Sequence, residues 1–350
     1  MATKVAIFGD LFMRASVLEQ TVREHLAPIC GKLEFVTQES DWPLTTQAHD
    51  AKLREFVGDP EEVALMTADA NIIINHLPPI TRLVIERSPS LQVIGCCRTE
   101  PVNVDVEAAT AAGIPVVYAP GRNAPAVAEF TVGLIIAECR DIGRGHHALA
   151  QGNWRGDLYV YDRAPRELSG QTVGLIGFGH IGQLMPALLK PFGLRVLAYD
   201  PYVAAEVFAD KGAEQITDMN TLLAQSDIVS LHARVTPETT GFIGEEQFRR
   251  MKPGAYFINT ARGPMVDYDA LYRTLTSGHL RGAGLETFAV EPTPSDLPLL
   301  RLENVTLTPH IAGCTVESVT RAAEMVSIDI ANFYAGKPLV NCSNPGVLDR

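Results

Sequence analysis

The run VGLIGFGHIGQLM, beginning at Val173, constrains this chain more than any other stretch. An apolar segment enters the turn Gly177-x-Gly179-x-x-Gly182, and helix-forming residues follow. Three glycines in that spacing answer three needs: a tight bend, close approach of the backbone to a pyrophosphate, and close packing of helix on strand. The free N–H groups of the next turn would face the anion. A second strand ends at Asp200, eighteen positions after Gly182. An acidic side chain there can accept hydrogen bonds from an adenosine ribose and would repel a 2′-phosphate. Pro201, Tyr202 and Val203 add no cation, so the pattern points to NAD rather than NADP. Taken alone, it is also compatible with a glycine-rich turn beside a surface Asp. Pro186 and Pro191 fall inside the expected helix, which should therefore kink or end early.

The fingerprint sits in mid-chain, and 350 residues make room for two domains. The first third alternates strand signals (4–8, 71–75, 91–97, 114–120) with helical ones (16–26, 79–88, 105–112), and carries no glycine fingerprint. A second run follows, with strands at 172–179, 194–200, 227–233, 255–261, 281–287 and 304–310 and a helix at 315–334. Such alternation implies an α/β protein with two Rossmann-like or flavodoxin-like domains, each built on a parallel sheet. Between the runs lies GRNAPAVAEFTVGLIIAECRDIGRG, from Gly121. Asn123 suits an N-cap and Pro125 a first turn. The helix is apolar almost all round, as expected of one buried between domains or at a subunit interface.

Composition excludes several classes. The net charge of −12 argues against a nucleic-acid footprint. No apolar stretch reaches the roughly 18 residues that span a bilayer, and the N-terminus lacks a signal-peptide core. The six cysteines form no C-x-x-C pair and no zinc spacing. We therefore expect a cytoplasmic protein of a reducing compartment, with no metal and no membrane partner.

Three segments end strands of the second run, where active sites of open sheets lie. They are NTARGPMVD (259–267), GLETFAVEP (284–292) and LTPHIAG (307–313), and they offer Arg262, Glu291 and His310. Hydride transfer to a 2-oxo acid needs these types. A protonated His donates to the carbonyl oxygen, a carboxylate orients the ring and favours the imidazolium, and an Arg fork grips the substrate carboxylate. Singly, each has a plainer reading: a surface ion pair, a solvated acid, a loop histidine.

Together with GLIGFGHIGQ…AYDP and LHARVTPETTGFIG, these segments resemble the D-isomer-specific 2-hydroxyacid dehydrogenase family, which includes phosphoglycerate and glyoxylate/hydroxypyruvate reductases. The likeness extends over NVDVEAATAAGIPVVYAPGRNAPAVAEFTVGL and so over most of the chain. It implies an NAD-binding domain (121–314) inserted in a discontinuous substrate domain (1–120 plus 315–350), which explains the mid-chain fingerprint. It implies Arg262, Glu291 and His310 as the catalytic trio. It implies cofactor contacts from Gly177, Gly179, His180, Ile181, Gly182, Asp200, Thr260, Ala261, Arg262, His310, Ala312 and Gly313. His232 resembles a residue near the cofactor, and is otherwise a core histidine. Glu286 stands where the family has Asp reaching the nicotinamide carboxamide. CRTEPVN (97–103) replaces the family's glycine-rich carboxylate loop, so Arg98, Thr99 and Glu100 are expected to meet substrate, with His76 as a further contact. The helix of the 123–155 arm resembles the family's dimer arm, implying a homodimer. The expected activity is an NAD-dependent dehydrogenase acting on a small-molecule 2-hydroxy or 2-oxo acid. Other readings are an NAD(H)-sensing, corepressor-like module, a formate dehydrogenase, disfavoured by Glu291, and a structural α/β protein with a decayed site, disfavoured by the intact trio.

Overall fold

The computed structural model describes residues 2–42 and 52–349. The chain divides into two compact units, Met1–Asn123 with Cys314–Arg350, and Ala124–Gly313.

Unit 1 is built on five parallel strands: β1 (Thr3–Asp10), β2 (Leu33–Ser40), β3 (Ile72–Asn75), β4 (Val93–Cys96) and β5 (Val116–Tyr118). Their order is β2-β1-β3-β4-β5, that of flavodoxin-like doubly wound sheets. β3 and β4 are buried along their whole length, and the run IIIN supplies the continuous apolar surface a sheet covered on both faces demands. β2 was not expected from sequence. It is an edge strand, mostly exposed and polar (LEFVTQES), so it carries neither signal. The helix Val316–Tyr334 packs on β4, where a Cβ on Gly95 would fall 2.5 Å from Val326 Cγ1. Its N-cap, Thr315, accepts from the Ser318 N–H. The tail then returns to β5, where the Asn344 side chain receives the Val116 N–H at 2.8 Å.

Unit 2 holds seven parallel strands: β6 (Thr172–Ile176), β7 (Arg195–Tyr199), β8 (Glu214–Gln215), β9 (Ile228–Leu231), β10 (Ala255–Asn259), β11 (Leu280–Leu285) and β12 (Val305–Leu307). Their order, β12-β11-β10-β9-β6-β7-β8, reverses direction between β6 and β9. The two-residue β8 is too short to leave a periodic signal. The apolar helix from Asn123 is two helices, Ala124–Cys139 and Ile142–Ala150. The break is at Asp141, whose φ of 54° is left-handed and cannot continue a right-handed helix. Helix Ala124–Cys139 buries Val127, Thr131, Leu134, Ile135 and Glu138, while Glu129 and Gly133 stay exposed.

Candidate active site

β6 delivers the fingerprint. Gly177 has a φ of 96°, and a Cβ there would lie 2.6 Å from the Ala233 nitrogen. One on Gly182 would lie 2.4 Å from the Gly177 oxygen, so both positions exclude any side chain. A Cβ on Gly179 would meet nothing within 4 Å, which leaves bare backbone facing open space. The N–H groups of Gly179, His180, Ile181 and Gly182 make no hydrogen bond among the described residues. Donors and room are thus both present for a pyrophosphate. The helix beyond is short, Met185–Leu189, with Pro186 in its first turn, and a 3-10 turn at Lys190–Phe192 follows.

Asp200, just past β7, accepts from the Phe178 N–H at 2.8 Å and the Tyr202 N–H at 2.9 Å, one on each oxygen. Each oxygen keeps a lone pair for a ribose hydroxyl. His232 follows β9 and is buried; its Nε2 lies 2.9 Å from Ser230 Oγ and its Nδ1 has no partner. Burial pulls its pKa down to about 4, so it is neutral at physiological pH.

The turn after β10 is held by Asn259, which accepts from the Ala261 N–H at 3.0 Å and donates to the Arg262 carbonyl at 3.1 Å. Thr260 Oγ1 lies 2.8 Å from Thr131 Oγ1 on the apolar helix. The exposed Arg262 side chain donates to the Ala261 carbonyl at 2.7 Å and forms no ion pair among the described residues. A Cβ on Gly263 would fall 1.9 Å from the Phe288 carbonyl carbon. That glycine therefore lets the Arg262 turn press against the segment carrying Glu291.

Glu291 accepts from the Phe288 N–H at 2.8 Å on one oxygen, and the other lies 2.6 Å from His310 Nδ1. Burial alone would raise the Glu291 pKa. The hydrogen bond and charge of His310, the Phe288 N–H and the charge of Arg262 outweigh it and hold the carboxyl below its ordinary value. His310 Nε2 makes no hydrogen bond among the described residues, on a side chain 42% exposed. The geometry is that of an imidazole fixed at one nitrogen and offered at the other.

Glu286 and Ala312, both expected as cofactor contacts, are joined to each other: the Glu286 carboxylate accepts the Ala312 N–H, and Thr308 Oγ1 donates to its second oxygen. The Glu286 carbonyl also accepts the His310 N–H at 3.0 Å. The extra methylene of Glu over Asp lets the buried carboxylate reach across the 308–312 loop, so in this structure it braces the loop carrying His310. His310 itself has a left-handed φ of 54°. Sequence reasoning could not find this, because no spacing rule links Glu286 to residues 22 and 26 positions on.

In unit 1, the Arg98 guanidinium pairs with Glu55 and donates to the Glu55 carbonyl at 3.1 Å. Thr99 is half-buried and Glu100 exposed, and their N–H groups make no hydrogen bond among the described residues. That is the state an anion-accepting nest requires, despite Pro101. His76 is buried and lies 2.6 Å from Asp10, a residue not singled out from sequence. Among the described residues, no three His, Cys, Asp or Glu side chains group to hold a metal ion. No described helix is long and apolar enough to cross a membrane.

Comparison with known proteins meets this geometry. The chain is 39% identical over 302 residues to D-3-phosphoglycerate dehydrogenase of Methanocaldococcus jannaschii, covering 84% of this chain and 57% of that protein. It is 36% identical over 302 residues to glyoxylate reductase of Thermofilum pendens, covering 86% and 85%. It thus spans just over half the length of the first relative. The crystal structure of D-mandelate dehydrogenase from Rhodotorula graminis superposes with a TM-score of 0.78 at 25% identity, covering 98% of each chain. The family model for the NAD-binding domain of D-isomer specific 2-hydroxyacid dehydrogenases matches residues 132–312, within unit 2 and over its fingerprint, Asp200 and the His310–Glu291 pair. On that match and those identities, the chain belongs to the D-isomer specific 2-hydroxyacid dehydrogenase family, and NAD is its cofactor.

Proposed function

We propose that the chain is an NAD-dependent dehydrogenase that moves a hydride between NAD(H) and a D-2-hydroxy acid/2-oxo acid pair. The observation that carries this reading is the 2.6 Å Glu291–His310 pair with Nε2 left open, borne on the same sheet as the fingerprint. NAD, when bound, supplies hydride chemistry. The chain's own residues do the rest. In the reductive direction, His310 donates its Nε2 proton to the substrate carbonyl oxygen, and Glu291 stabilises the imidazolium at Nδ1. In the oxidative direction, Nε2 takes the hydroxyl proton. Arg262 turns its planar fork to the substrate carboxylate and polarises the carbonyl. Gly179, His180, Ile181 and Gly182 hold the pyrophosphate through their N–H groups and Asp200 the ribose. His232 stands near the cofactor as a neutral imidazole, with Thr260, Ala261 and Gly313 as further cofactor contacts. Substrate is held by unit 1, through the free N–H groups of Thr99 and Glu100 and through Arg98 and His76, so the domain roles follow the two units.

The names of the two relatives suggest candidate substrates, phosphorylated hydroxy acids and glyoxylate. Incubating purified protein with NADH and a panel of 2-oxo acids, and following loss of the reduced-nicotinamide absorbance, tests the reading. Turnover is expected. A folded protein that binds NADH yet reduces none of them would favour the sensing module. A homodimer completes the proposal. Trp154, Tyr159 and Tyr161 are 85%, 95% and 93% exposed on and just beyond the 123–155 arm, and a second copy would cover them. Sedimentation of the protein and of its Tyr159→Ser/Tyr161→Ser form checks this: the variant should shift toward monomer. Cys30, Cys96, Cys97, Cys139 and Cys342 form no disulfide among the described residues, which fits a cytoplasmic location.

A further inference from the structure

Unit 1 carries a second carboxylate–imidazole pair, which takes no part in the proton transfer assigned to His310 and Glu291. The strand order β2-β1-β3-β4-β5 reverses direction between β1 and β3. In open parallel sheets, ligands bind beyond the carboxyl ends of the strands at such a point. Asp10 is the last residue of β1, and His76 is the first after β3. The pair therefore stands where a doubly wound sheet takes its ligand.

Its surroundings are those of a binding site. Asp10 is fully committed: one oxygen accepts from the Phe12 and Met13 N–H groups at 2.9 and 2.7 Å, the other faces His76 Nδ1. His76 Nε2 makes no hydrogen bond among the described residues. The Trp42 ring stacks on His76 with centroids 6.3 Å apart, and Phe12 stands 6.1 Å away, edge-on to Trp42. Arg122, beyond β5, sets its guanidinium 5.8 Å over the Phe12 ring.

Arg122 decides the ligand's charge. The residue is only 8% exposed and forms no ion pair among the described residues. Its Nε has no partner, and its contacts to the Ser318 carbonyl and hydroxyl are both long, 3.4 Å. Arg98, by contrast, is neutralised by Glu55. A buried guanidinium without a counter-charge is costly, and the cost is relieved when an anion arrives.

We propose that unit 1 contains an oxyanion site in which Arg122 supplies charge, His76 Nε2 a hydrogen bond, and Phe12 and Trp42 the walls. Resting on the reading of unit 1 as the substrate domain, the group bound is a second acidic group of the substrate, a carboxylate or a phosphate ester remote from the reacting carbon. Substrate would then be a doubly charged acid rather than a simple one such as glyoxylate. Because the Asp10 carboxylate accepts a hydrogen bond from Nδ1–H, His76 donates to the oxyanion through Nε2 only as imidazolium, so binding takes up a proton. The groups around His76 are Asp10 from β1, Arg98 after β4, which is paired with Glu55, and Arg122 after β5, whose charge the incoming anion offsets.

The test is calorimetric titration of the full-length protein, with and without saturating NADH, using sodium phosphate and, separately, malonate. Saturable binding is expected, with proton uptake visible as a heat that changes with the buffer's ionisation enthalpy. Binding of both ions marks a general oxyanion site, phosphate alone a phosphate ester, and malonate alone a carboxylate. Arg122→Gln should weaken binding at least tenfold and Arg122→Lys less. Since Arg122 also ties down Ser318, Arg122→Lys and His76→Gln keep the test open if Arg122→Gln does not fold. No saturable binding of either ion, or wild-type affinity in Arg122→Gln, overturns the site, and binding without proton uptake overturns the part given to His76. In turnover, Arg122→Gln should lower the preference for doubly over singly charged 2-oxo acids at least tenfold, through KM. A protein that binds these ions but reduces no 2-oxo acid would defeat the hydride-transfer reading and leave this site standing. Turnover without ion binding would do the reverse.

Discussion

Two imidazole–carboxylate pairs in this molecule share one bond length and little else. His310–Glu291 and His76–Asp10 both meet through Nδ1 at 2.6 Å. The first pair is 42% and 35% exposed in its side chains, the second 4% and 0%. Glu291 and Asp10 are both held below their ordinary pKa by their histidines, against burial that pushes the other way. Burial pulls His76 below the usual histidine range. The difference teaches that bond geometry does not assign a role. An open imidazole can trade a proton with a ligand at little solvation cost, whereas a buried one charges only when something else brings compensation.

This comparison can be broken in four places. The largest effect falls on the open pair. His310→Ala should lower kcat for 2-oxo acid reduction by about 10³-fold, within the range general acid catalysis supplies, while NADH binding measured by fluorescence persists. A kcat within tenfold of wild type would take His310 out of the reaction. Next comes the buried pair. Asp10→Ala strips a buried partnership and should cost about 3–5 kcal/mol in urea unfolding, against roughly 1 kcal/mol for the half-exposed Glu291→Ala. Equal losses would mean that burial does not separate the pairs.

The same variable can be tested where no histidine is present. Glu138 is buried in unit 2 with only Thr306 donating to one oxygen and nothing on the other, and burial raises its pKa to about 7. The folded state therefore holds its proton more tightly than the unfolded chain does. Stability on this account is full below the ordinary carboxyl pKa of 4.5, falls as pH rises from there to about 7, and is flat above. The loss should reach at most about 3 kcal/mol, and Glu138→Gln should flatten the profile; an unchanged slope in that variant would place the titration elsewhere. Smallest is the open acid without a histidine. Asp200→Ala should shift the NADH-over-NADPH preference by about tenfold, roughly 1.4 kcal/mol, and an unchanged ratio would remove Asp200 from ribose recognition.

Much of the architecture was legible because its signals are local. The buried strands IIIN and TVGLI announce themselves as apolar runs, and the glycine turn announces itself by conformations and close approaches that only glycine accepts. The edge strand β2 was not, since half-exposed polar residues carry no clear period. The helix break at Asp141 was hidden too, because neither proline nor glycine marks it. The site divided in the same way. Arg262, Glu291 and His310 stood out as suitable residue types at strand ends, whereas Asp10, Phe12, Trp42 and Arg122 did not, being scattered over more than a hundred positions.

The sequence by itself determined the glycine turn, the acid that follows the next strand and the alternation that builds two parallel sheets. Each depends on interactions within a few residues or on a short repeat. Only the tertiary structure decided which acids meet which imidazoles, that Glu286 braces the His310 loop, and that Arg122 is buried without a counter-ion. Those outcomes depend on strand register and helix packing across tens of residues, where one methylene more or less redirects a hydrogen bond and no local pattern records it.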